Sequence, residues 1–147
     1  MELTQLGQKV GIPASPLDAI LECIKIENPE VKKSVVRFSC PEFTSLCPIT
    51  KQPDFARFYI DFIPYDYLVE SKSLKLYLAS FRNHGGFHEE VTAMIGERIR
   101  QAIRPQWIRV VGAWFPRGGI PIDVIWQDGR PGDVEVPELP LTLFTGR

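Results

Sequence analysis

The spacing of apolar residues changes several times along the chain, and each change marks an element. Over residues 35–43, β-branched and aromatic side chains concentrate, which predicts a strand. Residues 44–53, punctuated by Pro48 and Pro53, read as a loop. Phe58, Ile60 and Phe62 then alternate with Tyr59 and Asp61, predicting a second strand over 55–63. Beyond it the period lengthens. Leu74, Leu78 and Phe81 recur at helical spacing, and Gly85-Gly86 supplies the stop. Phe87, Val91, Ile95, Ile99 and Ala102 or Ile103 line one face of a second helix, which Pro105 ends. Residues 107–115 form a third strand. Ile120, Ile122 and Val124 alternate in a fourth, after a tight turn at Pro116-Arg117-Gly118-Gly119.

The order strand, strand, helix, helix, strand, strand predicts an α+β fold: a four-stranded antiparallel sheet with both helices on one face. A chain of 147 residues suits one domain. It divides into an N-terminal arm (1–34) with a short helix over 17–24, a core (35–126) and a loop-rich tail (127–147). Such a sheet leaves two edges to cover, and pairing between subunits is one way to cover them, so a homo-oligomer is expected.

Composition narrows the function classes. With 17 basic and 18 acidic residues the net charge is -1, which gives no field for holding a nucleic acid by counterion release. Three irregularly spaced cysteines do not read as a disulfide framework. No signal peptide or membrane span is visible, and a reducing cytosol is the expected compartment.

Several residues could carry chemistry. Cys47 stands on a loop between two strands, where functional groups concentrate; against this, most cysteines are inert buried hydrophobes. Cys23 and Cys40 fit that plainer description. Asp54 stands near enough in sequence to shuttle protons for a thiol; alone it reads as a solvated strand entry. His84 and His88, with Cys47, could ligate zinc, but Gly85-Gly86 separates them and no helical His-Glu-x-x-His pattern is present. Glu89 and Glu90 suit the first turn of a helix whatever the function; the functional alternative is a carboxylate accepting two hydrogen bonds from a guanine-like edge. Lys72, Lys75 and Arg117 could meet phosphate, or be ordinary surface cations. There is no dinucleotide-binding glycine motif. These residues alone support a cytosolic α+β domain with a possible thiol site.

Longer strings say more. Glu70-Ser71-Lys72-Ser73-Leu74-Lys75-Leu76-Tyr77 resembles the signature of the queuosine-pathway nitrile reductase (QueF) family, short single-domain branch. So do Phe43-Thr44-Ser45-Leu46-Cys47-Pro48, Gln52-Pro53-Asp54-Phe55, Ser80-Phe81-Arg82-Asn83-His84, Phe87-His88-Glu89 and Pro116-Arg117-Gly118-Gly119. They occur in the family's order over about residues 40–125. The resemblance implies a tunnelling fold (T-fold) whose subunits join into a multi-subunit barrel, with sites between subunits. It implies NADPH-dependent reduction of 7-cyano-7-deazaguanine to 7-aminomethyl-7-deazaguanine. Cys47 matches the nucleophile that forms a covalent thioimidate, and Asp54 the proton donor. Val69, Glu70, Ser71, His88 and Glu89 match substrate contacts; Lys72, Lys75 and Arg117 are candidates for NADPH. No metal is implied. Val91 stands where some members carry a second cysteine, so no protective disulfide with Cys47 is expected. Two alternatives stay open: a zinc-dependent cyclohydrolase-type enzyme using Cys47, His84 and His88, and a non-catalytic purine- or pterin-binding module.

Overall fold

Alternation along β3 (Pro53–Ile63) turns Ala56, Phe58, Ile60 and Phe62 to one face, all fully buried. In the computed structural model, which describes residues 3–139, β3 is an inner strand of a four-stranded antiparallel sheet. The strand order is β2-β3-β5-β6, with β2 spanning Val36–Leu46, β5 Trp107–Arg117 and β6 Ile120–Gly129. Two helices cover the apolar face, α1 (Ser71–Ala79) and α2 (His88–Ile103). Val91, Ile95, Ile99 and Ile103 of α2 and Leu74 and Tyr77 of α1 meet the sheet residues in one core. The predicted α+β arrangement of antiparallel strands and two intervening helices is therefore present.

The predicted helix over 17–24 is absent. Ala19 and Leu21 are buried while Ile20 is exposed, an extended alternation rather than a helical one. The chain continues into β1 (Cys23–Lys25), which pairs antiparallel with β4 (Tyr67–Val69) as a separate two-stranded sheet. The arm is held down by the buried Glu22 carboxylate, which accepts from the Thr4 amide and hydroxyl and the Gln5 amide. Two 3-10 turns, Pro29–Lys33 and Ser80–Asn83, were not foreseen.

Strand limits differ in a way that matters for the site. β2 does not stop at Phe43; it passes a bulge between Cys40 and Phe43 and runs to Leu46. The predicted loop over 44–53 thus shrinks to six residues, 47–52. β6 likewise extends to Gly129, where Trp126 still packs against the core. The predicted loop tail therefore begins at residue 130. Its last residues, 140–147, and residues 1–2 of the arm lie outside the described part.

The opposite face of the sheet carries a charge cluster. Asp61 of β3 stands in register with Arg37 of β2 and Arg109 of β5. Its carboxylate is fully buried and accepts from Arg37 Nε at 2.6 Å and Arg109 Nη2 at 2.7 Å. The same guanidinium groups donate to the carbonyls of Glu138 and Pro137, fastening the tail across the sheet.

Candidate active site

The short β2–β3 connection fixes Cys47 at the start of a single helical turn. The Lys51 amide donates to the Cys47 carbonyl at 3.0 Å, and the Cys47 amide donates to the Gln52 carbonyl at 2.8 Å. Cys47 occupies the place of a helix N-cap: Pro48 follows it, and the Thr50 amide donates to Cys47 Sγ at 3.4 Å. Lys51 closes the turn in the left-handed region, at φ 61°. A second backbone contact clamps the loop. The Leu46 amide donates to the His84 carbonyl and the Gly86 amide to the Leu46 carbonyl, so the α1–α2 connection runs beside the end of β2. Gly85 passes directly over Pro48; a Cβ there would stand 3.4 Å from the Pro48 Cα.

Cys47 is 3% exposed, yet its thiol is held well below the usual cysteine range, at about 6. The Thr50 hydroxyl is the largest cause. The Thr50 and Ile49 amides and the Arg117 guanidinium add to it, and together they outweigh desolvation. Burial alone acts on the other two cysteines and pushes both thiols up, that of Cys40 to about 11. Only Cys47 therefore has the makings of a nucleophile at neutral pH. Its alkylation by iodoacetamide should rise through a midpoint near pH 6, since the thiol is protonated and inert below that value. Thr50→Val, which removes the hydroxyl and keeps the amide, should move the midpoint upward. A midpoint near the ordinary cysteine value in the wild type would show that the cradle does not act.

Asp54 stands opposite Ser45 in the β2–β3 register, on the helix-facing side. It is 6% exposed. Its Oδ1 lies 3.3 Å from Arg117 Nε, and Oδ2 lies 3.2 Å from His88 Nε2. The last contact lacks hydrogen-bond alignment: Asp54 Oδ2, His88 Nε2 and the nearby Ser45 Oγ are all buried without a hydrogen-bond partner. Three unsatisfied polar atoms in one place are costly unless something joins them. His88, at the start of α2, stacks on Trp114 with ring centroids 4.1 Å apart and planes within 6°. Thr92 links the two residues, donating to the His88 backbone carbonyl and accepting from Trp114 Nε1. Gly112 makes room for this: a Cβ there would fall 2.6 Å from Thr92 Oγ1.

Of the predicted site residues, the fold brings together Cys47, Asp54, His88 and Arg117. Arg117, expected to meet cofactor, faces the thiol and Asp54 with its side chain 46% exposed. No hydrogen bond or ion pair ties Val69, Glu70, Ser71 or Glu89 to this group. Glu70 is buried and caps α1, its carboxylate accepting from the Lys72 and Ser73 amides at 2.8 and 2.7 Å. Glu89 is exposed in the first turn of α2. Lys72 is engaged by the arm, donating to the Gln5 and Gln8 carbonyls. Lys75 is exposed on α1. His84 packs edge-on against Phe81. Among the described residues no three His, Cys, Asp or Glu side chains gather at metal-ligand spacing, so the zinc alternative lacks its ligand set. No helix among them is long and apolar enough to cross a membrane.

Thr50, Trp114 and Ser45 escaped the reading of the sequence. Thr50 had a signal: three residues past Cys47 with Pro48 between, it follows N-cap spacing. Ser45 stood inside the string Phe43-Thr44-Ser45-Leu46-Cys47-Pro48 without being singled out, and Trp114 had no signal.

The chain matches known proteins over nearly its whole length. The family model described as QueF-like protein covers residues 53–133, which include Asp54, His88 and Arg117 and begin just after Cys47. A protein named NADPH-dependent 7-cyano-7-deazaguanine reductase from Chelativorans sp. (strain BNC1) is 58% identical, covering 99% of this chain and 95% of that one. A protein of the same name from Parvibaculum lavamentivorans is 53% identical with the same coverage. Among solved structures, the apo form of an archaeosine synthase QueF-Like superposes with a TM-score of 0.61 at 25% identity, covering 71% of this chain and 97% of that chain.

Proposed function

This chain belongs to the family of NADPH-dependent 7-cyano-7-deazaguanine reductases, and from that premise we propose that it reduces the nitrile of 7-cyano-7-deazaguanine to the aminomethyl group through a covalent bond to Cys47. The observation that carries the reading is a buried thiol that accepts from the Thr50 amide at 3.4 Å and faces Arg117, whose guanidinium also lies 3.3 Å from Asp54 Oδ1. An archaeosine synthase shares the fold, but its identity is less than half that of the reductases.

The Cys47 thiolate adds to the nitrile carbon, forming a C–S bond as one π bond of the C≡N group opens. The nitrogen takes a proton from Asp54, giving a thioimidate. His88, 3.2 Å from Asp54 Oδ2, is the group that returns a proton to the carboxylate. Arg117 stabilises the thiolate before it attacks and again after it leaves. When bound, NADPH would supply the two hydrides that the four-electron reduction requires, and Cys47 would leave as thiolate before the amine is complete. Arg117, half-exposed beside the thiol, and Lys75, exposed without an ion pair, fit a phosphate-bearing cofactor; Lys72 would first have to release the arm carbonyls. The near-complete burial of Cys47 and Asp54 keeps water from the reacting carbon.

The substrate-reading segment, Val69, Glu70 and Ser71 with Glu89, is assigned to a site completed between copies of the chain, in a T-fold barrel. The support is physical. The sheet has two free edges among the described residues, at β2 and β6, and the arm exposes Leu6, Leu17 and Ile20. The reducing cytosol suits an NADPH enzyme with three free thiols.

The test is stoichiometric. Purified protein, the cyano-deazaguanine and excess NADPH should consume two equivalents of NADPH for each amine formed; consumption without amine, or amine without consumption, rejects the reaction. Asp54→Asn should slow adduct formation about 10²-fold or more, the usual worth of a positioned acid. Stopped-flow or quenched mass measurement would read it, and an unchanged rate would remove Asp54 from its role.

A further inference from the structure

We infer that the Ser45 hydroxyl passes a proton from His88 to Asp54, a positioning residue that reloads the acid for the second half of the reduction; this rests on the reading just given. Turning a nitrile into a primary amine places two protons on the nitrogen, along with two hydrides. Asp54 holds one proton at a time, so it must be reloaded within the turnover, and it is buried. His88 is the neighbour that can reload it. Yet His88 Nε2, 3.2 Å from Asp54 Oδ2, is not aligned for a hydrogen bond with it. A proton moves poorly along a misaligned contact. A group that both accepts and donates solves the geometry, and a hydroxyl does both.

Ser45 is that hydroxyl by position and by burial. It stands directly across from Asp54 in the β2–β3 register. Opposed Cβ atoms in such a pair lie about 4.5–5.5 Å apart. Ser45 is fully buried, and its Oγ has no hydrogen-bond partner among the described residues. A serine that only filled space would strand a hydroxyl, which alanine would not. Turning its χ1 breaks no bond, so the hydroxyl can address Asp54 Oδ2 and His88 Nε2. The frame around it is fixed. Thr44 Oγ1 donates to the Asp54 carbonyl at 2.9 Å, Leu46 is clamped to the α1–α2 connection, and His88 lies flat on Trp114. In the transfer, the Nε2–H bond of protonated His88 breaks as a new Oγ–H bond forms on Ser45. The original Oγ–H bond breaks as an Oδ2–H bond forms on Asp54. The imidazole ends neutral, the carboxyl is again an acid, and the serine is unchanged. Asp54 and His88 thus bring between them the two protons that the nitrogen takes.

Steady-state kinetics of Ser45→Ala in the full-length protein test this. The kcat should fall about 10²-fold, the lower end of what a positioned proton-transfer group contributes, while KM for the cyano-deazaguanine stays within about twofold. With NADPH withheld, the variant should still take up one ligand per chain on Cys47, because the first proton is already on Asp54. Alanine removes one buried atom that has no partner, so the fold should hold, and an unchanged melting temperature checks that. An unaltered kcat overturns the relay. A loss that comes with a raised KM, or with incomplete adduct, overturns it too and makes Ser45 a packing residue. The two readings fail separately. A wild type that forms no adduct rejects the Cys47 reaction and the relay with it. A wild type that forms adduct, beside a variant that turns over at full rate, rejects the relay alone.

Discussion

Cys47→Ala protein, incubated with 7-cyano-7-deazaguanine and no NADPH, should gain no mass, whereas the wild type should gain that of one ligand. Turnover should fall by roughly a thousandfold or more, because no second group can replace the sulfur. The effect is large because the cradle is specific to one position. The Thr50 hydroxyl and amide, the Ile49 amide and Arg117 all act on Cys47. The thiols of Cys40 and Cys23 are shifted by burial alone, which disfavours thiolate. Cys47→Ser separates shape from nucleophilicity: it keeps the volume, and its hydroxyl stays protonated at neutral pH. Adduct retained by the alanine variant would move the covalent site elsewhere and sink the mechanism.

Asp61→Ala should be the most destabilising single change on the face away from the helices. The substitution leaves two guanidinium groups facing each other across β3 with their shared carboxylate gone. Removing one partner of a buried ionic cluster costs about 3–5 kcal/mol. For a chain of this size that lowers the melting temperature by roughly 10 °C. The tail should loosen as well, since Arg37 and Arg109 hold the carbonyls of Glu138 and Pro137 while they hold Asp61. Calorimetry with hydrogen exchange over residues 130–139 would read both effects. A melting temperature within about 2 °C of the wild type would mean that solvent already screens the cluster.

The elements that bury a regular face were legible in the sequence. The two-residue alternation of Phe58, Ile60 and Phe62 and the helical spacing of Val91, Ile95 and Ile99 are direct records of which side meets the core. Limits were hidden where local chemistry and tertiary pairing disagree. Pro48 and Pro53 make the whole stretch from Thr44 look like a loop, yet Thr44, Ser45 and Leu46 still pair with β3, beyond the bulge between Cys40 and Phe43. In the arm, Ala19 and Leu21 are too few to show their period, and the strand at Cys23 exists because β4 offers it a partner. In the site, Cys47 and Asp54 were legible through family strings and lie close in sequence. The approach of Arg117 to the thiol was not, because it brings the far end of β5 to the β2–β3 turn, and only the sheet register places them together. The same holds for Lys72, which reads as a solvated cation and is in fact occupied by two carbonyls of the arm.

The parallel stack of His88 on Trp114 ties the site to the middle of the sheet. The imidazole is pinned between the indole on its flat side and the Asp54 carboxylate at its edge, so a ligand that turns the ring must also part it from Trp114, and the inner strand β5 carries the cost of opening the pocket.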